Sequence, residues 1–90
     1  MITFADAMLI AHEAFAPPGA TPATFVVSGD GFEDATDYRV IVGPPEAVLD
    51  DAVMYVDNLA RLIDKRTGEA SSIPIPTIFE KLDEMTPVSV

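Results

Sequence analysis

Three groups of residues in this 90-residue chain have types and spacings that could support chemistry. The first is Asp64-Lys65-Arg66-Thr67-Gly68. A phosphate-accepting carboxylate is found in the pattern Asp-Lys-Thr-Gly-Thr, but Arg66 interrupts that pattern here, and the large domains it requires do not fit in 90 residues. The second is His12-Glu13, which lacks the second histidine of a zinc-protease helix because position 16 is Ala16. The third is the acidic run Asp30, Glu33, Asp34 and Asp37. An EF-hand needs ligands at alternate positions, glycine at the sixth and glutamate at the twelfth. These four acids do not follow that spacing, and a solvated loop is the simpler account. With no cysteine, one histidine and no glycine-rich phosphate loop, neither a nucleophile–base pair nor a transition-metal ligand set can be assembled. The expectation is a non-enzymatic protein with no catalytic residues, no cofactor and no metal.

Charge is the strongest compositional fact. Fifteen acids against five bases give a net charge of −10, which argues against nucleic acid or an anionic membrane as partner. Between Asp30 and Asp57 stand eight acids, with Glu46, Asp50 and Asp51 among them, against the single base Arg39. Buried unpaired carboxylates cost several kcal/mol each, so these acids are expected to make a solvated negative surface. Asp30, Glu33, Asp34, Asp37, Asp50, Asp51 and Asp57 are therefore the candidate residues for docking a protein with a basic surface. Charge complementarity would speed the encounter and select the partner, and apolar anchors would hold it. Ordinary solubility accounts for the same charge without any partner.

The elements that must position these residues follow from pattern and punctuation. Ninety residues make one domain, residues 1–90, burying roughly 60–68% of its unfolded surface. The apolar start has no basic leader and no run of 18 apolar residues, so neither a signal peptide nor a membrane span is expected. Together with the lack of cysteine, this fits a cytoplasmic protein. Thr3 to Ala16 reads as a helix, with Thr3 and Asp6 in a capping box and Phe4, Met8, Ala11 and Phe15 on one stripe. Pro17 and Pro18 end it.

Residues 23–28 and 38–43 read as strands paired across an acidic loop, 29–37. A connection with one helical turn near Pro45 follows. Residues 53–64 are ambiguous. A 4-3-4-3 apolar spacing supports a helix from Glu46 to Arg66, whereas the alternation just before the glycine turn favours a strand. Asp64 and Gly68 then suit a tight turn into a returning strand, 69–74. Thr77 and Glu80 form a capping box for a short last helix, with Ile78, Leu82 and Met85 inward and Pro87 beyond its end. The fold class expected is α+β: an N-terminal helix packed on a small antiparallel sheet of about four strands, with a short C-terminal helix.

The element order and the turn Ile63-Asp64-Lys65-Arg66-Thr67-Gly68-Glu69 resemble those of the YrhB-type small immunity-protein domains. In that family a late strand enters a turn of this form. The aromatic pair usual in the family's second strand is here only Tyr38, and the C-terminal Leu-Asp-Glu-Met-Thr-Pro-Val departs from its pattern. The resemblance implies an inhibitor that neutralises a basic protein such as a toxin, with no catalytic residue to carry over. The alternative is a small accessory or assembly subunit that self-associates through a sheet edge or the first helix. A small-ligand pocket between helix and sheet is a third possibility.

Overall fold

The computed structural model describes residues 1–49 and 59–90. The candidate residues Asp50, Asp51 and Asp57, and the ambiguous stretch up to residue 58, lie outside the described residues. The first helix, α1 (Phe4–Phe15), opens on the expected reciprocal cap: Thr3 N–H donates to Asp6 Oδ2 at 3.0 Å and Asp6 N–H to Thr3 Oγ1 at 3.1 Å. Its buried face is Phe4, Ala7 and Ala11, with Met8 and Phe15 half-buried beside it. Ala7 at the centre, without a long side chain, lets the helix approach the sheet closely.

The strands are β1 (Val26–Val27), β2 (Asp30–Glu33), β3 (Asp37–Val40), β4 (Val42–Gly43), β5 (Leu59–Asp64), β6 (Ala70–Pro74) and β7 (Thr86–Ser89). Five of them form an antiparallel sheet in the order β6-β5-β3-β2-β7, and β1 with β4 makes a separate two-stranded ribbon. The short helix α2 (Pro45–Leu49) packs on that ribbon, where a helical turn near Pro45 was expected. The ribbon and β2–β3 are one long bent hairpin. Val27 faces Val42 and Phe32 faces Arg39, so four residues in the first arm answer two in the second. The two extra residues make a bulge at Ser28–Gly29, and Ser28 Oγ accepts the Asp30 amide at 3.1 Å.

The acidic stretch expected as a loop is thus largely strand. Asp30 to Glu33 form β2, and only the tip from Asp34 turns. Gly31 explains why the pattern was hard to read. A Cβ there would stand 2.5 Å from the Arg39 carbonyl oxygen and 2.7 Å from Phe4 Cζ, so only glycine lets Phe4 pack across β2. The second difference is at the C-terminus. Thr86–Ser89, with Pro87 inside it, is an edge strand on β2, a position that tolerates a residue without an amide proton.

Tyr38, Val40 and Ile63 face α1 and complete its core, with the Phe4 and Tyr38 rings edge-on at 5.5 Å. The other face is covered too, for Ala60 and Leu62 are buried. The chain leaves β6 at Pro74, beside Leu59, and enters β7 at Thr86, beside Glu33. Residues 75–85 therefore cross from one edge of the sheet to the other and from one end to the other. They do so as a 3-10 turn (Ile75–Thr77) and the helix α3 (Phe79–Glu84), with Ile75 and Met85 buried near the two ends. Lys81 of α3 reaches Asp37, which points away from Tyr38 and α1, so α3 lies on the face opposite α1. Thr77 does not cap α3. Ile78 is the N-cap, and the Thr77 hydroxyl donates to the Pro74 carbonyl because the preceding turn is 3-10. Among the described residues no helix is long and apolar enough to cross a membrane.

Candidate functional site

The turn Asp64–Gly68 is architecture. Asp64 Oδ1 accepts the amides of Arg66 and Thr67 at 2.7 and 3.0 Å, and these bonds hold its carboxyl below the ordinary range. Gly68 sits at φ +74°, where a side chain is strained, and its amide closes the turn on the Asp64 carbonyl. The turn sends Lys65 inward. Its amide donates to the Thr36 carbonyl, and its carbonyl accepts the Ile2 amide. Its ammonium lies 4.7 Å from the Tyr38 ring centre and 2.8 Å from Glu33 Oε1. Lys65 is only 9% exposed, so this is an enclosed ion pair with a cation–π contact.

At the β2–β3 tip, Asp34 Oδ1 accepts the amides of Thr36 and Asp37, folding the turn around its own side chain. Lys81 then spans Asp34 Oδ2 at 2.6 Å and Asp37 Oδ2 at 2.9 Å. Burial pushes the Asp34 carboxyl up. The Lys81 hydrogen bond, the two turn amides and the Lys81 charge outweigh it and hold Asp34 at about 2. Burial likewise lowers Lys81, but its bonds to both carboxylates prevail and raise it. Asp37 also stands directly across the ladder from Asp64, a like-charge pair that Lys81 offsets.

Three of the candidate acids, Glu33, Asp34 and Asp37, are therefore partly buried and tied to Lys65 or Lys81 rather than freely solvated. Asp30 is exposed, opposite Ser89. The tip and α3 flank a shallow groove of about 540 Å³, lined by Glu33, Asp34, Ala35, Thr36, Glu84 and Thr86. Because Lys81 turns toward the hairpin, the outward face of α3 consists of Phe79, 57% exposed, with Glu80, Asp83 and Glu84 around it.

Of these α3 acids and the two lysines, the sequence marks Glu80 only as a helix cap and Lys65 only as part of the turn, while Asp83, Glu84 and Lys81 carry no motif. The signal for Lys81 is its position: Ile78, Lys81, Leu82 and Met85 follow i, i+3, i+4, i+7, which puts the lysine on the inward stripe. Taken over the described residues, Asp6, Glu13, Asp30, Glu46, Glu69, Glu80, Asp83 and Glu84 are exposed, whereas Arg66 is the one exposed base. Folding turns lysine inward and leaves carboxylate outward.

A second groove, of about 550 Å³, runs between α1 and the β1–β4 ribbon and is mostly apolar, with His12 edge-on to Phe25 at 5.7 Å. Among the described residues no three His, Asp or Glu side chains converge to hold a metal ion. No protein-family model matches the chain, and no curated protein or solved structure gives a significant match.

Proposed function

We propose that this protein works by binding, as a non-enzymatic, immunity-like inhibitor whose acidic surface docks a basic protein such as a toxin. The observation that carries this reading is the α3 face. Lys81 is withdrawn into its pair with Asp34 and Asp37, and an exposed aromatic, Phe79, is left among Glu80, Asp83 and Glu84. An aromatic anchor ringed by like charges suits a partner whose own contact surface is positive. The Ile63–Glu69 turn, which resembles that of the YrhB-type immunity domains, points the same way.

The test is capture of the partner from the native host, followed by association kinetics across a salt series. Replacing Glu80, Asp83 and Glu84 by their amides is expected to slow association, and Phe79→Ala to speed dissociation. A partner that is itself acidic, or an on-rate indifferent to salt and to the triple variant, would refute the reading. Self-association, the alternative, draws on the exposed apolar side chains Leu9 and Val90. Sedimentation over a concentration series separates the two, since a stable oligomer without any basic partner would favour the assembly subunit.

A further inference from the structure

We infer that the groove between α1 and the β1–β4 ribbon is a second contact surface, and that its occupant is a short apolar protein segment flanked by lysine or arginine. The walls include Met8, Leu9 and His12 of α1, Phe25 and Val27 of the facing arm, and Val90. Leu9 is 70% and Val90 72% exposed, so the lips of the groove are apolar and open to water. Large apolar side chains grouped around a concavity mark contact surfaces, unlike single exposed ones.

Charge selects the occupant. On α1, Phe4, Ala7 and Ala11 face the sheet, and Met8, Leu9 and His12 turn toward the groove. Beyond Leu9, on the solvent side, come Asp6 three residues before it and Glu13 four after it, neighbours of Leu9 on the helix surface. Both are exposed, and among the described residues no lysine or arginine lines the groove. A second copy of the chain would bring its own net charge of −10 against this rim, and an anionic lipid surface would bring like charge as well. Basic flanks on an apolar segment would instead meet Asp6 and Glu13 while the centre fills the groove. The helical wall from Ala5 to His12 is about 10 Å long, which matches about two turns of a partner helix. The inference takes only the sign of the partner's charge from the proposed function.

The experiment titrates the methyl-labelled full chain with a short amphipathic Leu/Lys peptide and with the same peptide carrying Glu for Lys. The Leu/Lys peptide is expected to shift the methyl signals of Met8, Leu9, Val27 and Val90 to saturation, and the Leu/Glu peptide to leave them in place. Leu9→Gln should weaken the Leu/Lys peptide about tenfold. Should Leu9→Gln alter melting, Val90→Ser gives the same comparison at the other lip. Shifts confined to α3 and indifferent to Leu9→Gln would overturn the groove while retaining an acidic binding protein. Equal binding of the Leu/Glu peptide would overturn it too. So would a dimer abolished by Leu9→Gln, which would assign the groove to a second copy.

Discussion

Gly31→Ala tests the central packing of the fold. The backbone at Gly31 is not in the left-handed region, so alanine meets no conformational penalty there, and in open space the change would stabilise by about 0.4–1 kcal/mol through the unfolded chain. The space is not open. The new methyl would stand 2.5 Å from the Arg39 carbonyl oxygen, 2.7 Å from Phe4 Cζ and 2.9 Å from Phe4 Cε1. The ring can swing, at the expense of its edge-on contact with Tyr38, but the carbonyl belongs to the neighbouring strand and moves only if β3 parts from β2. Overpacking of this kind costs about 1–3 kcal/mol, and a clash with backbone belongs at the upper end.

Set against the gain, the net loss is about 2 kcal/mol, or about 8–16 °C in Tm for a domain of this size. The assay is thermal and denaturant unfolding of Gly31→Ala, Phe4→Leu and the double variant. A smaller side chain at position 4 relieves the part of the clash due to the ring. The double variant should therefore lose less than the two single losses together, with a coupling of about 0.5–1 kcal/mol. A Gly31→Ala protein as stable as its parent would refute this account of why helix and sheet meet as they do.

The remaining predictions concern charge and the turn. Asp34 is depressed to about 2 from an ordinary 3.8, so its contribution is present above pH 3.8 and lost as pH falls toward 2. That gap corresponds to about 2 kcal/mol, and to about 1 kcal/mol after solvent screening, so the stability difference between parent and Asp34→Asn should shrink from about 1 kcal/mol near pH 6 to almost nothing at pH 2. Lys65→Met should cost about 1–2 kcal/mol, less in a Glu33→Gln background, because Glu33 then has no charge to leave unpaired; a double-mutant cycle reads the coupling. Gly68→Ala should cost about 1–2 kcal/mol from its φ of +74° alone, measured by chemical denaturation. Moderate salt should raise Tm, since exposed like charges are screened over about 8 Å at 0.15 M while the Lys65 and Lys81 pairs are screened less.

Local signals carried α1, the Asp64–Gly68 turn and the strands on either side of it. In each case one residue type at one position does a job that short-range geometry defines: Thr3 as cap, Asp64 as amide acceptor, Gly68 as the left-handed residue. β2 was illegible for the opposite reason. Asp30-Gly31-Phe32-Glu33 looks like a turn because its glycine answers to Phe4, a residue 27 positions earlier that only the folded chain brings near. β7 was hidden by Pro87, which reads as a helix terminator unless the strand is known to lie at an edge. The acidic patch was half legible. The number of carboxylates follows from composition, but which of them stay in water depends on Lys65 and Lys81, whose partners are 32 and up to 47 residues away.

That selection bears on function. A chain with five bases and fifteen acids could scatter its bases over the surface and blunt its own field. This fold places Lys65 beneath the β2–β3 hairpin and Lys81 against its tip, while Arg39 and Arg61 lie over the rings of Phe32 and Phe15. Each of these four cations holds one element to another: turn to hairpin, α3 to hairpin, strand to strand, strand to α1; only Arg66 stays outside. The cost is self-repulsion among the carboxylates left outside, which opposes the compact state. A domain under selection for stability alone would gain by pairing some of those carboxylates with surface lysine. One whose work is to attract a cationic partner gains by leaving them bare, and by setting apolar side chains such as Phe79 and Leu9 beside them.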